Sequence, residues 1–323
     1  MHFSTQKKHW PRNIRIMDKP LKDILRLFQA EPSRTWSIVM TFFGDMVLPR
    51  GGSIGLPTLL SLFHAMDVGS GTVRTALSRL SADGWVERTR IGRNAYYCLS
   101  SRGMALSRDA EPRIYGTFSF KTQRKLRLAV ASASVRSLVG DEAALVATRM
   151  REAGYTAFAP GAWLGVDDGT LPDGIFGLDV DGSQVAMQCL AAYFSLDDLA
   201  RSYLRFEKIF SPLAKMCTDH AEQKGTFHQD GLSAVVARTL LIHEYRRIAL
   251  RDPHLPEALM PSDWTGYRAR TLCATIYRAL LPASEAWLTE NGRGGDAGRL
   301  PAPTPAFYKR FQEVSRAQSR DFV

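Results

Sequence analysis

The stretch that most constrains this chain is SGTVRTALSRLSADGWVERTRIGRNAYYCL, from Ser70 to Leu99. Its first part places apolar residues at positions i, i+3, i+4 and i+7, which gathers them on one face of a helix. These residues are Val73, Ala76, Leu77 and Leu80. The residues opposite this stripe are Thr75 and Ser78, flanked by Thr72, Arg74 and Arg79. The pattern predicts a short amphipathic helix with hydroxyl and guanidinium groups on its outer face.

A β-hairpin is predicted directly after this helix, because strand-forming residues stand on both sides of the turn Ile91-Gly92-Arg93-Asn94. The strand formers are Trp85, Val86, Thr89, Ala95, Tyr96, Tyr97 and Leu99. Arginines are concentrated here, at Arg88, Arg90, Arg93 and Arg102. From Ser70 to Arg102, six arginines stand against two acids, Asp83 and Glu87, which leaves a net charge of +4. Phosphates are the obvious counter-charge for such a hairpin.

Two further helices are predicted upstream. The first is Thr35 to Leu48, TWSIVMTFFGDMVL, ended by the proline and glycines of Pro49-Arg50-Gly51-Gly52. The second is Leu56 to Met66, and Gly69 to Gly71 make a tight turn into the helix described above. Helix, helix, helix and hairpin in this order indicate a winged helix-turn-helix, whose last helix enters the major groove of DNA.

The candidate DNA contacts come from the outer face of that helix and from the hairpin. Arginine can bond guanine edges or phosphates, and serine and threonine can serve either. The candidates are Ser70, Thr72, Arg74, Thr75, Ser78, Arg79, Arg88, Arg90, Arg93 and Asn94. Either element alone could equally be an ordinary solvated face. Their succession in one stretch favours a reader of double-stranded DNA.

Two separate blocks of the sequence carry one family resemblance. The first contains FGDMVLPRGGSIGL, VRTALSRLSADGWVERTRIGRNAYYCLS and the segment ending EPRIYG; the second is RDPHLPEALMPSDWTGYRARTL, Arg251 to Leu272, where Arg-Asp-Pro and Leu-Pro precede Trp-x-Gly. Together they resemble the PaaX-type repressors of phenylacetic acid degradation, over residues 33 to 290. The resemblance implies a repressor of an aromatic-acid catabolic operon, released from its operator by an aryl- or acyl-CoA such as phenylacetyl-CoA.

The predicted fold class is α+β, in five segments. Residues 1–30 form a basic amino-terminal arm, 31–115 the winged helix-turn-helix domain, 116–193 a ferredoxin-like middle domain, 194–290 a mainly helical effector and dimerisation domain, and 291–323 a Gly/Pro linker and tail. The arm carries Lys7, Lys8, Arg12 and Arg15, and is either a phosphate-binding extension or a disordered leader.

Alternating and helical periods predict the elements of the last three segments. The middle domain has strands at Lys125 to Val130, Tyr155 to Ala159 and Val185 to Leu190, and a helix at Glu142 to Glu152. Between Asp167 and Ser183, glycines, prolines and acids favour turns over the second helix of a ferredoxin-like order. Further helices are predicted at Leu196 to Cys217, Leu232 to Leu250, Tyr267 to Leu280 and Ala306 to Val314.

Charge and cysteine usage bound the partners and the compartment. A net charge of +10 and a pI of about 9.6 favour polyanions: nucleic acid, an anionic membrane surface or a phosphate-rich ligand. Four cysteines, Cys98, Cys189, Cys217 and Cys273, have no paired spacing, which indicates free thiols in a reducing compartment. With no signal peptide or membrane span recognised, we expect a cytoplasmic protein without a membrane partner.

Catalytic and metal motifs are incomplete. His243-Glu244-Tyr245-Arg246-Arg247 begins like a zinc-binding helix, but Arg247 stands where the second histidine is required. Cys217, His220 and His228 lack a fourth ligand. No nucleophile and base pair, phosphate loop or dinucleotide fingerprint is present. We therefore expect no enzyme activity, no cofactor and no metal.

An effector site is hypothesised near the carboxy-terminal block, because an acyl-CoA requires cations for its phosphates and an apolar slot for its acyl group. The candidates are Arg246, Arg247, Arg251, Trp264, Tyr267 and Arg268. The alternative is structural: arginines at a helix end offset its dipole, and a tryptophan before glycine usually packs in a core. A homodimer is expected, placing two recognition helices on neighbouring half-sites.

Two other functions remain open at this stage. One is an adaptor for RNA or single-stranded DNA, in which Tyr96 and Tyr97 stack on bases beside the basic face. The other is an enzyme acting on CoA esters that carries the winged helix as an assembly module. Footprinting on duplex against single strands separates the first from a DNA repressor, and an assay for acyl-CoA turnover separates the second.

Overall fold

The computed structural model describes residues 18–30, 34–116, 125–167, 171–180, 194–222, 230–253, 255, 260, 263–295 and 298–312. They belong to two units, each with its own internal contacts. The first unit comprises residues 1–117, 205–247 and 269–323, and the second comprises 118–204 and 248–268. Helices and two antiparallel sheets are both present, which agrees with the predicted α+β class.

The first described element is a packed helix. Helix α1, Lys19–Ala30, buries Leu21, Ile24 and Leu25 because their i, i+3, i+4 spacing places them on one face. A disordered leader is therefore wrong for this part of the arm. The arm's basic residues Lys7, Lys8, Arg12 and Arg15 lie outside the described residues.

The next elements follow the predicted order of helices and hairpin, with β1 as an additional short strand. They are α2 at Thr35–Phe42, β1 at Ser53–Gly55, α3 at Leu56–Ala65, α4 at Ser70–Ala82, β2 at Val86–Ile91, β3 at Asn94–Leu99 and α5 at Ser101–Tyr115. The helix predicted to reach Leu48 is not α-helical throughout: after α2 it widens into a π-helical turn at Phe43–Val47 and ends as a 3-10 turn at Leu48–Arg50. Gly51 and Gly52, with φ of 79° and 76°, then reverse the chain.

Strand β3 is the centre of a three-stranded antiparallel sheet in the order β1-β3-β2. Gly55 lies opposite Tyr96, and Tyr96 lies opposite Thr89. The sheet thus links the segment before α3 to the hairpin that follows α4.

A second sheet forms the core of the second unit. Its strands are β4 at Lys125–Ala131, β5 at Tyr155–Ala159, β6 at Ala162–Asp167 and β7 at Ile175–Val180, and its helices are α6 at Ala133–Arg136 and α7 at Gly140–Glu152. The strand order is β5-β6-β4-β7, with antiparallel neighbours. Met150 of α7 packs on this sheet with Trp163 and Ile175.

The connection between β6 and β7 is too short for the second helix of a ferredoxin-like order. Its described residues, 171–174, are coil and turn, as their proline and glycine favour. The strand predicted at Val185 to Leu190 lies outside the described residues.

The carboxy-terminal half is mainly helical, with α8 at Leu196–Glu222, α9 at Gly231–Ala249 and α10 at Thr265–Asn291. Helix α10 runs beyond the predicted end at Leu280, because buried positions continue at Ser284 and Leu288 with a four-residue spacing. None of the helices in the described part of the chain combines the length and apolarity needed to cross a bilayer.

The described part of the predicted linker and tail is packed within the first unit. Phe307 and Phe311 are buried, and the backbone N–H of Phe311 donates to the Tyr115 carbonyl over 3.1 Å. The only regular element in this stretch, among the described residues, is a 3-10 turn at Phe307–Lys309 in place of the short helix predicted from Ala306. Aromatic side chains spaced four residues apart supply the apolar surface that holds it.

Candidate nucleic-acid interface

Helix α4 has the two faces that its sequence predicts. Val73, Ala76, Leu77 and Leu80 are buried. The six candidate DNA contacts on this helix are all exposed: Ser70, Thr72, Arg74, Thr75, Ser78 and Arg79. Its polar face is therefore open to a partner over the whole length of the helix.

The connection from α4 to the hairpin is fixed by backbone hydrogen bonds. The Trp85 N–H donates to the Leu80 carbonyl over 2.8 Å, and Gly84, with φ of 71°, makes the turn between them. The Ser100 hydroxyl then donates to the Gly84 carbonyl over 2.7 Å. These hydrogen bonds join the end of the helix to both ends of the hairpin. They fix the position of the hairpin relative to α4.

The hairpin turns through two residues, Gly92 and Arg93, between the paired residues Ile91 and Asn94. Gly92 has φ of 59°, which a tight hairpin turn with glycine at its first central position requires. The hairpin candidates Arg88, Arg90, Arg93 and Asn94 are all exposed. Arg88 and Arg90 are two residues apart on one strand and so point from the same face of the sheet.

The positive charge of this surface is not neutralised within the described residues. Among them, no carboxylate lies in ion-pair contact with any of the five arginines of α4 and the hairpin, which are Arg74, Arg79, Arg88, Arg90 and Arg93. The neighbouring Arg102 instead places its guanidinium 4.0 Å from the ring centroid of Trp85. An external polyanion is the natural counter-charge for the five.

The tyrosines of β3 are not available to stack on bases. Tyr96 is 3% exposed and Tyr97 is 7% exposed, because both are covered on the central strand of the sheet. The alternative of an RNA or single-strand adaptor that uses these rings is therefore wrong.

A buried polar network in the first unit was not predicted from the sequence. Asp45, in the π-helical turn, is 1% exposed, and its carboxylate accepts hydrogen bonds from Tyr115 Oη at 2.8 Å and Tyr277 Oη at 2.9 Å. Two guanidinium groups complete the set, with Arg238 Nε at 2.8 Å and Arg310 Nη1 at 3.1 Å. The single charged residue in the apolar run FFGDMVL was the available signal.

Acids at the edge of this network complete its charge balance. Glu285 accepts from Arg238 Nη1 at 2.5 Å and lies 2.7 Å from the buried Arg50 Nη2, while Glu111 accepts from Arg310 Nη2 at 2.8 Å. Burial opposes the charge of Arg238, but the Asp45 carboxylate, Tyr277 and Glu285 together outweigh it and raise the pKa of this guanidinium. Burial, together with the Asp45 charge, also raises the pKa of Tyr115 well above its usual value. The ionised acids and arginines of the network thus hold one another in place.

The six effector candidates divide between the two units. In the first unit, Arg246 donates through Nη2 to the Ser37 carbonyl at 3.1 Å and hydroxyl at 3.0 Å, and Arg247 pairs with Glu244 at 3.0 Å. Burial lowers the pKa of Arg246. Its contacts with Ser37, just inside α2, give Arg246 a structural role.

In the second unit, Trp264 is 5% exposed and lies edge-on to Tyr203, with ring centroids 6.0 Å apart. The Tyr203 hydroxyl donates to Asp252 Oδ2 over 2.9 Å. Trp264 thus packs in a core, as the structural alternative expects. Tyr267 is half-buried, and the remaining candidates Arg251 and Arg268 are exposed.

His243 is a buried neutral histidine rather than a metal ligand. Its Nδ1 lies 3.0 Å from the Thr41 hydroxyl, and burial, aided by the charges of Arg246 and Arg247, lowers its pKa to about 3. The described residues contain no group of three or more side chains able to hold a metal ion. His228 and the side chain of His220 lie outside the description.

We expect this histidine to make folding sensitive to acid. Its pKa is about 3 when folded but near 6.5 when unfolded, so the unfolded chain binds more protons between these values and stability falls as the pH drops. Between neutral pH and pH 5, the unfolding free energy of His243→Gln should therefore fall less than that of wild type, by up to about 2 kcal/mol. Urea unfolding across this range measures the difference.

The matched control is His64→Gln, at an exposed position on α3. It should keep the wild-type pH dependence. Parallel pH profiles for wild type and His243→Gln would contradict the assignment.

An exposed basic helix beside an arginine-rich hairpin is typical of a DNA-binding regulator. Comparison with known families identifies the kind of regulator. A family model described as PaaX-like protein matches residues 34–103, and one described as PaaX-like protein C-terminal domain matches residues 194–290. The chain is also 32% identical over 303 residues to the transcriptional repressor PaaX of Escherichia coli (strain K12), covering 87% of this chain and 91% of that protein.

The chain therefore belongs to the PaaX family of transcriptional repressors. This is a family of regulators rather than enzymes, so the alternative of an enzyme acting on CoA esters is wrong.

Proposed function

We propose that this protein represses an aromatic-acid catabolic operon of the phenylacetate type by binding its operator as a homodimer in the cytoplasm. An aryl- or acyl-CoA such as phenylacetyl-CoA releases it. The observation that carries the proposal is the set of exposed arginines on α4 and the hairpin, none of which pairs with an acid among the described residues. Family membership supplies the repressor and the aromatic-acid assignment.

In this proposal residues 31–115 act as a winged helix-turn-helix. The sheet order β1-β3-β2 and the run of α2, α3 and α4 before the hairpin support it. Helix α4 enters the major groove, where Arg74 and Arg79 meet base edges. The hairpin is the wing, whose Arg88, Arg90 and Arg93 meet phosphates.

The sheet of the second unit has the strand order of a ferredoxin-like sheet with one helix fewer, and we propose residues 116–193 as a separate ferredoxin-like domain. Two readers related by a dyad would occupy half-sites one helical turn, or a multiple of it, apart. An effector can release such a dimer only if it binds the released geometry more tightly than the operator-bound one.

For the effector, we propose that the exposed cations among the candidates bind the CoA phosphates, while Arg246 and Trp264 have structural roles. Arg251 and Arg268, in the second unit, are the best placed for this, since both are exposed. Phosphate recognition by guanidinium groups is strong because the fork geometry permits paired hydrogen bonds.

We expect phenylacetyl-CoA, but neither phenylacetate nor CoA alone, to release the protein from duplex DNA of its own promoter. The double variant Arg251→Ala, Arg268→Ala should still bind that duplex but require at least about tenfold more thioester for release, since each lost charge-assisted contact costs more than 1 kcal/mol. Titration of the thioester into a fluorescence-anisotropy assay measures both quantities.

The matched control is Arg201→Ala, an exposed arginine of α8 in the same unit that pairs with Asp198. It should respond like wild type. Release of the double variant at the wild-type concentration would contradict this site, and failure of every thioester to release the wild type would contradict the proposed effector class.

A further inference from the structure

The segment that follows α10 forms a small closed loop with an arginine on each side of its base. Arg293 and Arg299 face each other in an antiparallel bridge, and the Gly294 N–H donates to the Gly298 carbonyl over 2.9 Å. Both arginines are exposed. We call the described residues of this segment, 292–295 and 298–300, the arginine loop.

The arginine loop is attached to the edge of the three-stranded sheet. The Arg293 carbonyl accepts a hydrogen bond from the Gly55 N–H at 2.8 Å, and the Thr58 hydroxyl donates to the Asn291 carbonyl over 3.1 Å. A β-carbon on Gly295 would stand 2.8 Å from the Ser53 hydroxyl oxygen, so the loop also lies closely against β1. It therefore lies along the outer edge of β1, beside the start of α3.

The register of the sheet places this loop level with the arginines of the hairpin. Gly55 lies opposite Tyr96, which lies opposite Thr89, and Thr89 stands between Arg88 and Arg90. Neighbouring strands are about 4.8 Å apart, so Arg293 lies about 14 Å across the sheet from β2. That span is close to the width of about 12 Å of a major groove.

The loop is held rigidly at both ends. Leu300 is buried, and a β-carbon on Gly292 would clash with its side chain. Arg50, itself buried, donates through Nη1 to the Pro301 carbonyl over 3.1 Å. A cation on such a support binds an anion with little loss of conformational entropy.

Neither loop guanidinium is paired with a carboxylate among the described residues. Arg293 donates through Nη1 to the carbonyls of Glu290 and Gly292, at 2.8 and 2.9 Å, which leaves its positive charge uncompensated. Charge, exposure and position are therefore those of a second basic contact, at the β1 edge of the sheet whose opposite edge is the hairpin strand β2.

We propose that Arg293 and Arg299 bind the sugar-phosphate backbone of duplex DNA beside the groove that α4 enters. They do so from the β1 edge of the sheet, opposite the edge formed by the hairpin strand β2. The inference rests on the proposed DNA-binding function. The carboxy-terminal end of α10 would thereby touch the operator directly, without reading its sequence.

The test is the double variant Arg293→Ala, Arg299→Ala in the full chain, measured by fluorescence anisotropy on the promoter duplex and on a scrambled duplex over a series of salt concentrations. Each phosphate contact contributes about 0.9 to the slope of log affinity against log salt, so the slope should fall by about 2. Affinity for the two duplexes should fall by the same factor. The single variant Arg299→Ala, whose side chain makes none of the hydrogen bonds that hold the loop, should lose about 1 from the slope.

The control is the double variant Arg26→Ala, Arg201→Ala, which removes the same charge from two exposed arginines already paired with Asp23 and Asp198. Its slope should match wild type. If wild type binds duplex with a steep salt dependence and neither loop variant changes the slope, the inference is overturned while the proposed function stands. Absence of salt-sensitive duplex binding by wild type overturns both.

Discussion

Replacing Asp45 with asparagine should lower the free energy of unfolding by about 3 to 5 kcal/mol, because it removes the central negative charge between two buried arginines. Arg238 and Arg310 both contact this carboxylate, at 2.8 and 3.1 Å, and Arg238 has no exposure to water. Asparagine keeps the size of the side chain but carries no charge. Only the acids at the edge of the network then remain to offset the charge of the arginines. Urea unfolding at neutral pH measures the change.

The matched control is Asp23→Asn, which removes a carboxylate from the exposed pair with Arg26 on α1. Solvent screens that pair, so the loss should be below about 1 kcal/mol. Equal effects of the two substitutions would show that the Asp45 network is not what holds the π-helical turn, α5, α9, α10 and the tail of the first unit together.

Replacing Arg74 or Arg79 with alanine should weaken binding to the cognate duplex by about 5- to 150-fold, corresponding to 1 to 3 kcal/mol for an arginine that meets a base. Both project from the exposed face of α4, whose buried stripe leaves no freedom to turn that face away. Because base contacts carry sequence information, affinity for an unrelated duplex should change far less.

The comparison is with Arg90→Ala and Arg93→Ala in the hairpin. We expect these to weaken the cognate and unrelated duplexes by the same factor, since phosphates are alike in every sequence. Anisotropy titrations on several duplexes separate the two behaviours. If helix and hairpin variants lose affinity in the same manner, the division between base and phosphate contacts is wrong.

Local patterns were sufficient to predict the reader surface. The burial of Val73, Ala76, Leu77 and Leu80 follows from helical period alone, and the hairpin turn follows from Gly92, whose left-handed conformation the structure contains. Both depend on residues close together in sequence. The arginines beside this stripe are exposed because they lie on the other face of the same helix.

Long-range packing could not be predicted from such local patterns. Asp45 meets Arg238 and Arg310 across 193 and 265 residues, and neither arginine has a local pattern that marks it as buried. The same reason explains Tyr96 and Tyr97, whose strand alternation does not reveal that the sheet covers both. The sequence of the arginine loop predicts only a Gly/Pro linker, and the hydrogen bond to Gly55 is a contact with a residue distant in sequence.

We propose above all that five arginines of α4 and the hairpin together hold double-stranded DNA. The most direct measurement compares wild type with the variant in which Arg74, Arg79, Arg88, Arg90 and Arg93 are all alanine, on promoter duplex across a salt series. We predict tight, steeply salt-dependent binding by wild type and loss of most of both affinity and salt slope in the variant. Wild-type affinity and slope in a folded variant, or no salt-sensitive duplex binding by wild type, would contradict the account.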